Sequence, residues 1–212
     1  MVDSAYYFRR EYDSKGRFIS YWHQIDEVMT IGLAPVLEIG IGNGFVSDWL
    51  KKRQIDVTTM DIDHRLGPDK VGSILSLPFP DGAFKVVTCF EVLEHLPYED
   101  FPKALSEIYR VLGEYALLSM PDCNRSYQVG IQIPMLGEFK KLIQLPRAKQ
   151  TRHILGGQHC WEIGKEGYPL SRIISDMKRV EFEVEKTFRV FENPYHRFFK
   201  LKRAPKITVS KR

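Results

Sequence analysis

Four short stretches carry side chains or bare backbone at spacings that chemistry can use. In VLEIGIGNG (36–44) one acid, Glu38, precedes Gly40, Gly42 and Gly44, and VTTMDID (57–63) sets Asp61 at the end of a β-rich run. EVLEH (91–95) spaces Glu91, Glu94 and His95 at i, i+3 and i+4, which would share one face of a helix. GGQHCWE (156–162) follows a glycine pair with His159, Trp161 and Glu162. Glycines between a strand and a helix let a ligand lie close to the main chain, near the helix N-terminus. Two carboxylates and an imidazole also have the donor set for a divalent ion such as magnesium or manganese.

The elements that must position these residues follow from periodicity. YWHQIDEVM (21–29) spaces Trp22, Ile25 and Met29 on one helical face ahead of the glycine strand. Strand patterns recur in VLEI, IDVTTM (55–60), KVGSIL (70–75), FKVVTCF (84–90) and EYALLSM (114–120). Helical spacing fills FVSDWL and EDFPKALSEIYRVL (99–112), the latter with Phe101, Leu105, Ile108 and Leu112 inward. PLSRIISDMKRV is a further helix, with Leu170, Ile173, Ile174 and Met177 on one face. EFEVEKTFRV and YHRFFKLKR then flank the short turn ENP (192–194), so they must pair antiparallel. The fold class is therefore α/β, a doubly wound, mostly parallel sheet of seven strands with a C-terminal antiparallel hairpin. MLGEFKKLIQL (135–145) reads as a helix with Met135, Leu136, Phe139, Leu142 and Ile143 on one face.

At 212 residues, 43% hydrophobic and 27% charged, the chain fits one domain with a sizeable core. We divide 1–212 into an N-terminal helical cap (1–33), a core (34–121), an insertion (122–168), the last helix and hairpin (169–203) and a basic tail (204–212). No apolar run approaches the length of a membrane span, and the first residues lack a signal-peptide core. Three scattered cysteines, Cys89, Cys123 and Cys160, suit reduced thiols and a cytoplasmic location. The net charge of +4 permits nucleic-acid binding without requiring it.

Which cofactor the glycines serve depends on more than their own spacing. A dinucleotide turn, G-x-G-x-x-G/A, wants a small residue where this chain has Phe45. Taken in order, VLEIGIGNG, TTMDID, LPFPDGAFKVVTCFEVLEHLP and EIYRVL resemble the class I S-adenosylmethionine-dependent methyltransferases, in the type 11-like group. The resemblance implies an enzyme that uses S-adenosyl-L-methionine. It assigns Glu38 and the backbone of Gly40, Gly42 and Gly44 to the methionine end of the cofactor. It assigns Asp61 to the ribose, Ile62 to the adenine face, and Ser73, Ile74 and Leu75 to the adenine edge, while Phe90 and Glu91 end the fourth strand at the carboxyl edge where ligands of open α/β sheets bind. Ser73 stands where the family usually has an acid, and Lys85 where it usually has Asp.

Methyl transfer needs alignment and water exclusion more than obligatory side chains, so the acceptor is less legible than the cofactor. We expect the oxygen or nitrogen of a small molecule or glycan precursor, with His159 and Glu91 as the catalytic candidates. H-x-W-E and ENPYHRFF are similar to stretches of small methyltransferases in polysaccharide biosynthesis. Two readings of His159 stay open: a base or acceptor-orienting group with Trp161 as pocket wall, or part of a Trp-anchored surface loop. His196 is expected to be structural. Basic residues Arg147, Lys149 and Arg152 suggest an anionic acceptor. Small-RNA 2′-O-methyltransferases and ubiquinone-pathway O-methyltransferases use a similar E-x-x-E-H to hold a metal, so RNA with a metal at Glu91, Glu94 and His95 is the alternative. We assign no metal from sequence, because the same segment also serves to cap and orient a helix. A non-catalytic module that kept the cofactor pocket is the remaining class.

Overall fold

The computed structural model describes residues 4–144, 151–152 and 157–204. A 3-10 turn (Ser4–Phe8) and helix α1 (Lys15–Ile31) lead into β1 (Val36–Ile39), α2 (Phe45–Lys52), β2 (Val57–Asp61) and β3 (Lys70–Val71). β4 (Phe84–Phe90), α3 (Phe101–Val111) and β5 (Leu112–Pro121) follow. β6 (Ser126–Ile133) and β7 (Gly137–Gln144) come next, and α4 (Leu170–Arg179), β8 (Phe182–Arg189) and β9 (His196–Arg203) close the fold.

Seven strands form one sheet in the order β3-β2-β1-β4-β5-β9-β8. β1 pairs parallel with both β2 and β4, and β4 pairs parallel with β5. β9 is antiparallel to both β5 and β8, so it alone runs against the other six. The expected fold class is thus observed. The strand order reverses between β1 and β4, which opens a crevice at their carboxyl ends.

The sheet is covered on both sides. On α3, Phe101, Leu105 and Ile108 are fully buried beside Leu118 and Trp161, each burial stabilising by about 1.5–3 kcal/mol. On α4 the predicted face holds: Ile173 and Met177 are buried, and Leu170 and Ile174 pack against the same core.

Three expectations are corrected. α1 is longer than 21–29 and turns the other way, with Trp22 and Met29 exposed and Ser20, Tyr21, Gln24, Glu27 and Val28 buried. Polar residues occupy that face because the sheet side supplies partners: Ser20 Oγ lies 2.8 Å from His196 Nδ1, and Glu27 accepts from Lys186 at 2.8 Å. The third strand shrinks from 70–75 to Lys70–Val71, because Ser73 and Ser76 bridge each other across a turn.

The helix expected over 135–145 is instead half of a β-hairpin, β6–β7, forming a separate two-stranded sheet. Tyr127, Val129, Ile131 and Ile133 alternate with polar or glycine positions, a period of two that overrides the helical spacing of the second half. Met135 (φ 67°) and Gly137 (φ 92°) turn the chain between the strands.

Candidate functional site

A cleft of about 1180 Å³ opens at the carboxyl ends of β1, β2 and β4. One end is built on the glycine turn. Gly40 has φ 81°, and a Cβ there would come within 2.2 Å of Val92 Cγ2. Gly42 has φ 54°, and a Cβ would sit 3.5 Å from the Tyr12 hydroxyl and 3.6 Å from the Tyr7 ring. Positive φ makes glycine the fitting residue at both positions, and at Gly40 a Cβ would also clash with Val92, whereas at Gly42 it would make only ordinary contacts. Gly44 (φ 75°) caps α2 from just outside the cleft lining.

Asp61, at the end of β2, ties this turn to the next loop. Its Oδ2 accepts from the Ile41 amide at 3.0 Å and its Oδ1 from the Asp63 amide at 2.9 Å. Each oxygen retains a lone pair for a further donor. Burial raises the Asp61 carboxyl above its ordinary value, against the pull of these amides. Ile62, half exposed, Ser73, Ile74 and Phe90 complete the lining expected at this end. Leu75 does not reach the cleft: it packs against the core, and its amide donates to Ser73 Oγ at 3.2 Å.

Glu38 is the informative acid. It lines the cleft at 5% exposure, and its Oε2 has no hydrogen-bond partner among the described residues. Burial pushes its carboxyl up to about 7, only partly countered by Ser47. A buried acceptor left unpaired costs about 1–3 kcal/mol. A cationic ligand that donates hydrogen bonds removes that cost. The residues at this end therefore fit the methyl donor: an unpaired acid for its charged methionine part, bare backbone at the turn, and Asp61 for a diol.

Sequence reasoning missed the roof of the cleft. Tyr6, Tyr7, Tyr12 and Arg17 line it from the N-terminal segment and α1, with the Arg17 guanidinium 4.3 Å from the Tyr12 ring centre. Tyr21 donates to Asn43 Oδ1 at 3.2 Å, which fixes the glycine turn against α1. Burial pushes the Tyr7 hydroxyl up to about 12, so it stays a neutral donor. The signal available was AYYFRREY, an aromatic and basic cluster ahead of any core element.

The other end of the cleft is polar. EVLEH is not the helix its spacing implied: Glu91 has φ 55°, and only Leu93–His95 form a 3-10 turn. Glu91 and Glu94 accordingly diverge. Glu91 accepts from Ser119 Oγ at 2.8 Å and faces His196 Nε2 at 3.5 Å. Glu94 is fully buried, and among the described residues neither of its oxygens has a hydrogen-bond partner. Burial, with the Glu91 charge next, pushes the Glu94 carboxyl well above its ordinary range.

His159 lies at this end with its Nδ1 2.9 Å from Glu162 Oε1 and its Nε2 4.0 Å from Glu94 Oε1. Burial alone would raise Glu162, but hydrogen bonds from Cys123, Tyr195 and His159 outweigh it and hold the carboxyl at about 2. Trp161 is not a pocket wall. It is fully buried against Tyr98 and Phe101, and its Nε1 donates to Leu96 O at 3.1 Å. That anchor places His159 and Glu162 at the rim. His196 is buried yet lines the cleft, with burial lowering its pKa against the Glu91 charge. Of the basic residues expected near the acceptor, Arg152 is exposed, while Arg147, Lys149 and Gly156 of the glycine pair lie outside the described residues.

The chain is similar to known methyltransferases in part of its sequence and in its fold. Residues 37–119 match the family described as "Methyltransferase domain". A probable S-adenosylmethionine-dependent methyltransferase of Mycolicibacterium smegmatis is 33% identical over 121 residues, covering 49% of this chain and 46% of the relative. The match thus spans about half the length of that curated relative. Among solved structures, magnesium protoporphyrin IX methyltransferase of Synechocystis PCC 6803, with bound SAH, aligns with a TM-score of 0.62 at 16% identity. That alignment covers 89% of this chain and 84% of the other. An S-adenosylmethionine-dependent methyltransferase of Clostridium acetobutylicum also gives 0.62, at 11% identity, covering 94% and 99%. At such identities these likenesses show the fold. The segment 37–119, which holds Glu38, the three glycines, Asp61 and Glu91, matches the methyltransferase-domain family, and the chain has the fold of class I S-adenosylmethionine-dependent methyltransferases.

Proposed function

We propose that the protein transfers a methyl group from S-adenosyl-L-methionine to an oxygen or nitrogen of a small-molecule or glycan-precursor acceptor. One observation carries this reading: a continuous cleft whose two ends differ in chemistry. The volume of about 1180 Å³ exceeds the ~300–1,000 Å³ of a typical single-ligand pocket, which leaves room for donor and acceptor together.

The bound donor would supply an electrophilic methyl; the chain supplies placement and proton handling. Glu38, the glycine turn and Asp61 hold one end, and Phe90 with the N-terminal tyrosines screens it from water. At the other end the ionised Glu162 fixes His159 through Nδ1, so its Nε2 edge faces the acceptor position beside Glu94. An imidazole held this way accepts a proton from an incoming hydroxyl or amine, or orients it. Glu91 acts on the acceptor side through Ser119 and His196. The segment 122–168 is read as the acceptor-binding insertion, since His159 and Glu162 come from it.

The test is an acceptor screen with labelled donor, covering nucleotide sugars, phenols, amines and total RNA. Label in a small molecule supports the proposal; label only in RNA replaces the acceptor class. Absence of SAH binding by calorimetry would remove the reading altogether. An anionic acceptor is the finer form, resting on Arg147, Lys149 and Arg152 in sequence. Replacing all three by Gln should raise the acceptor KM and flatten its salt dependence while SAH affinity stays constant. Unchanged acceptor kinetics would exclude an anion-binding role.

A further inference from the structure

We propose that Glu94, His95 and His159 form a divalent-metal site at the acceptor end of the cleft, taking a first-row transition ion with positions left open for an acceptor oxygen. One ligand atom from each of the three lies within 4.8 Å of the other two. Ligands around one ion at bond lengths of ~2.0–2.2 Å stand about 3.3 Å apart in tetrahedral geometry, so side-chain shifts of about an ångström close the set.

Two independent observations support it. Glu94 is fully buried at the cleft wall, and among the described residues neither carboxylate oxygen has a hydrogen-bond partner. A buried acid with both oxygens unpaired is costly, and a cation between it and the histidines offsets that cost. The second observation is how the rings are held. His95 Nδ1 is 2.8 Å from the Gln158 carbonyl, and His159 Nδ1 is 2.9 Å from the Glu162 carboxylate. A carbonyl or carboxylate on one ring nitrogen fixes a tautomer that presents the other nitrogen as a ligand, the usual outer partner of a metal-bound histidine.

Glu91 is not part of the set, being bound to Ser119 and facing His196. The third ligand comes from the insertion, so the ion would join it to the core. Two imidazoles and one carboxylate suit manganese, iron, cobalt or zinc better than magnesium or calcium. The inference rests on the reading that this end receives the acceptor. It assigns His159 a ligand's role in the loaded protein, with the ion polarising the acceptor oxygen in place of a free base.

The test uses the full chain stripped with chelator. Cobalt(II) is titrated and followed by visible absorption, and zinc(II) by calorimetry, with SAH titrated in parallel. Expected is one ion per chain, with affinity falling about tenfold or more in His95→Asn and in His159→Asn while SAH binding persists. Glu94→Gln should lose the ion too, and circular dichroism establishes that each variant is folded. If Glu94→Gln does not fold, the two histidine variants decide. Wild-type protein that takes up no stoichiometric ion, or histidine variants that bind like wild type, would overturn the site. Failure of SAH binding instead counts against the methyltransferase reading, so the two failures are distinguishable.

Discussion

Glu38→Gln should separate cofactor binding from stability. The Glu38 carboxyl is raised from 4.5 to about 7 by burial, so between these pH values the folded chain holds a proton that the unfolded chain releases. Stability therefore falls as pH rises through that window, and the loss is complete above it. The displacement corresponds to about 3 kcal/mol. Glutamine keeps the shape, carries no charge and removes the cost. Without cofactor the variant should match wild type near pH 4.5 and exceed it by about 3 kcal/mol at pH 8. That is about 6–12 °C in thermal midpoint for a chain of this size. On the proposed function the unpaired Oε2 receives the cofactor, so SAH affinity should fall by about 1–3 kcal/mol. Urea unfolding at both pH values, with calorimetry for SAH, measures both effects. A variant less stable than wild type at pH 8, or a difference independent of pH, would refute the assignment of a buried charge awaiting a cation.

Asp61→Ala should weaken SAH binding by about 1–3 kcal/mol and also lower the unfolding midpoint, since the Ile41 and Asp63 amides lose their acceptor. Binding lost without any change in midpoint would mean that the carboxylate does not hold the turn. Gly42→Val should abolish SAH binding in a folded protein, because the branched side chain meets Tyr7 and Tyr12 and resists φ 54°; retained affinity in calorimetry would move the cofactor off this turn. Glu162→Gln should cut turnover while SAH affinity persists, since His159 loses its charged anchor, and a kcat equal to wild type would remove His159 from the reaction.

The glycine-turn end of the cleft was legible because it is local. Glu38, Gly40, Gly42 and Asp61 sit at the ends of two adjacent strands, and a strand pattern followed by glycine or acid gives their positions directly. The acceptor end was not, because its members come from distant segments. His159 is set by Trp161 in the core, which no spacing reveals, and Glu91 leaves the helical register through one residue of positive φ. The buried face of α1 misled because its polar residues find partners on β8 and β9, and their burial depends on those partners. The β6–β7 hairpin was read as a helix from its second half alone.

The antiparallel strand β9 also bears on how the protein is made. Its leading turn reaches back to the start of the chain, where Asn193 donates to Gly16 O and Ser20 Oγ and His196 meets Ser20. The same turn sets Tyr195 on Glu162, and Arg197 on Asp122 at the root of the insertion. Synthesis proceeds from the N-terminus at ~5–20 residues per second, so the strands that frame the cofactor end emerge before β9 exists. The strands of the glycine-turn end can pair first, while the end lined by Glu162 and His196 is completed only when the last strand enters between β5 and β8. On the proposed function, a chain interrupted before residue 193 would carry the strands of the donor end with no working acceptor end.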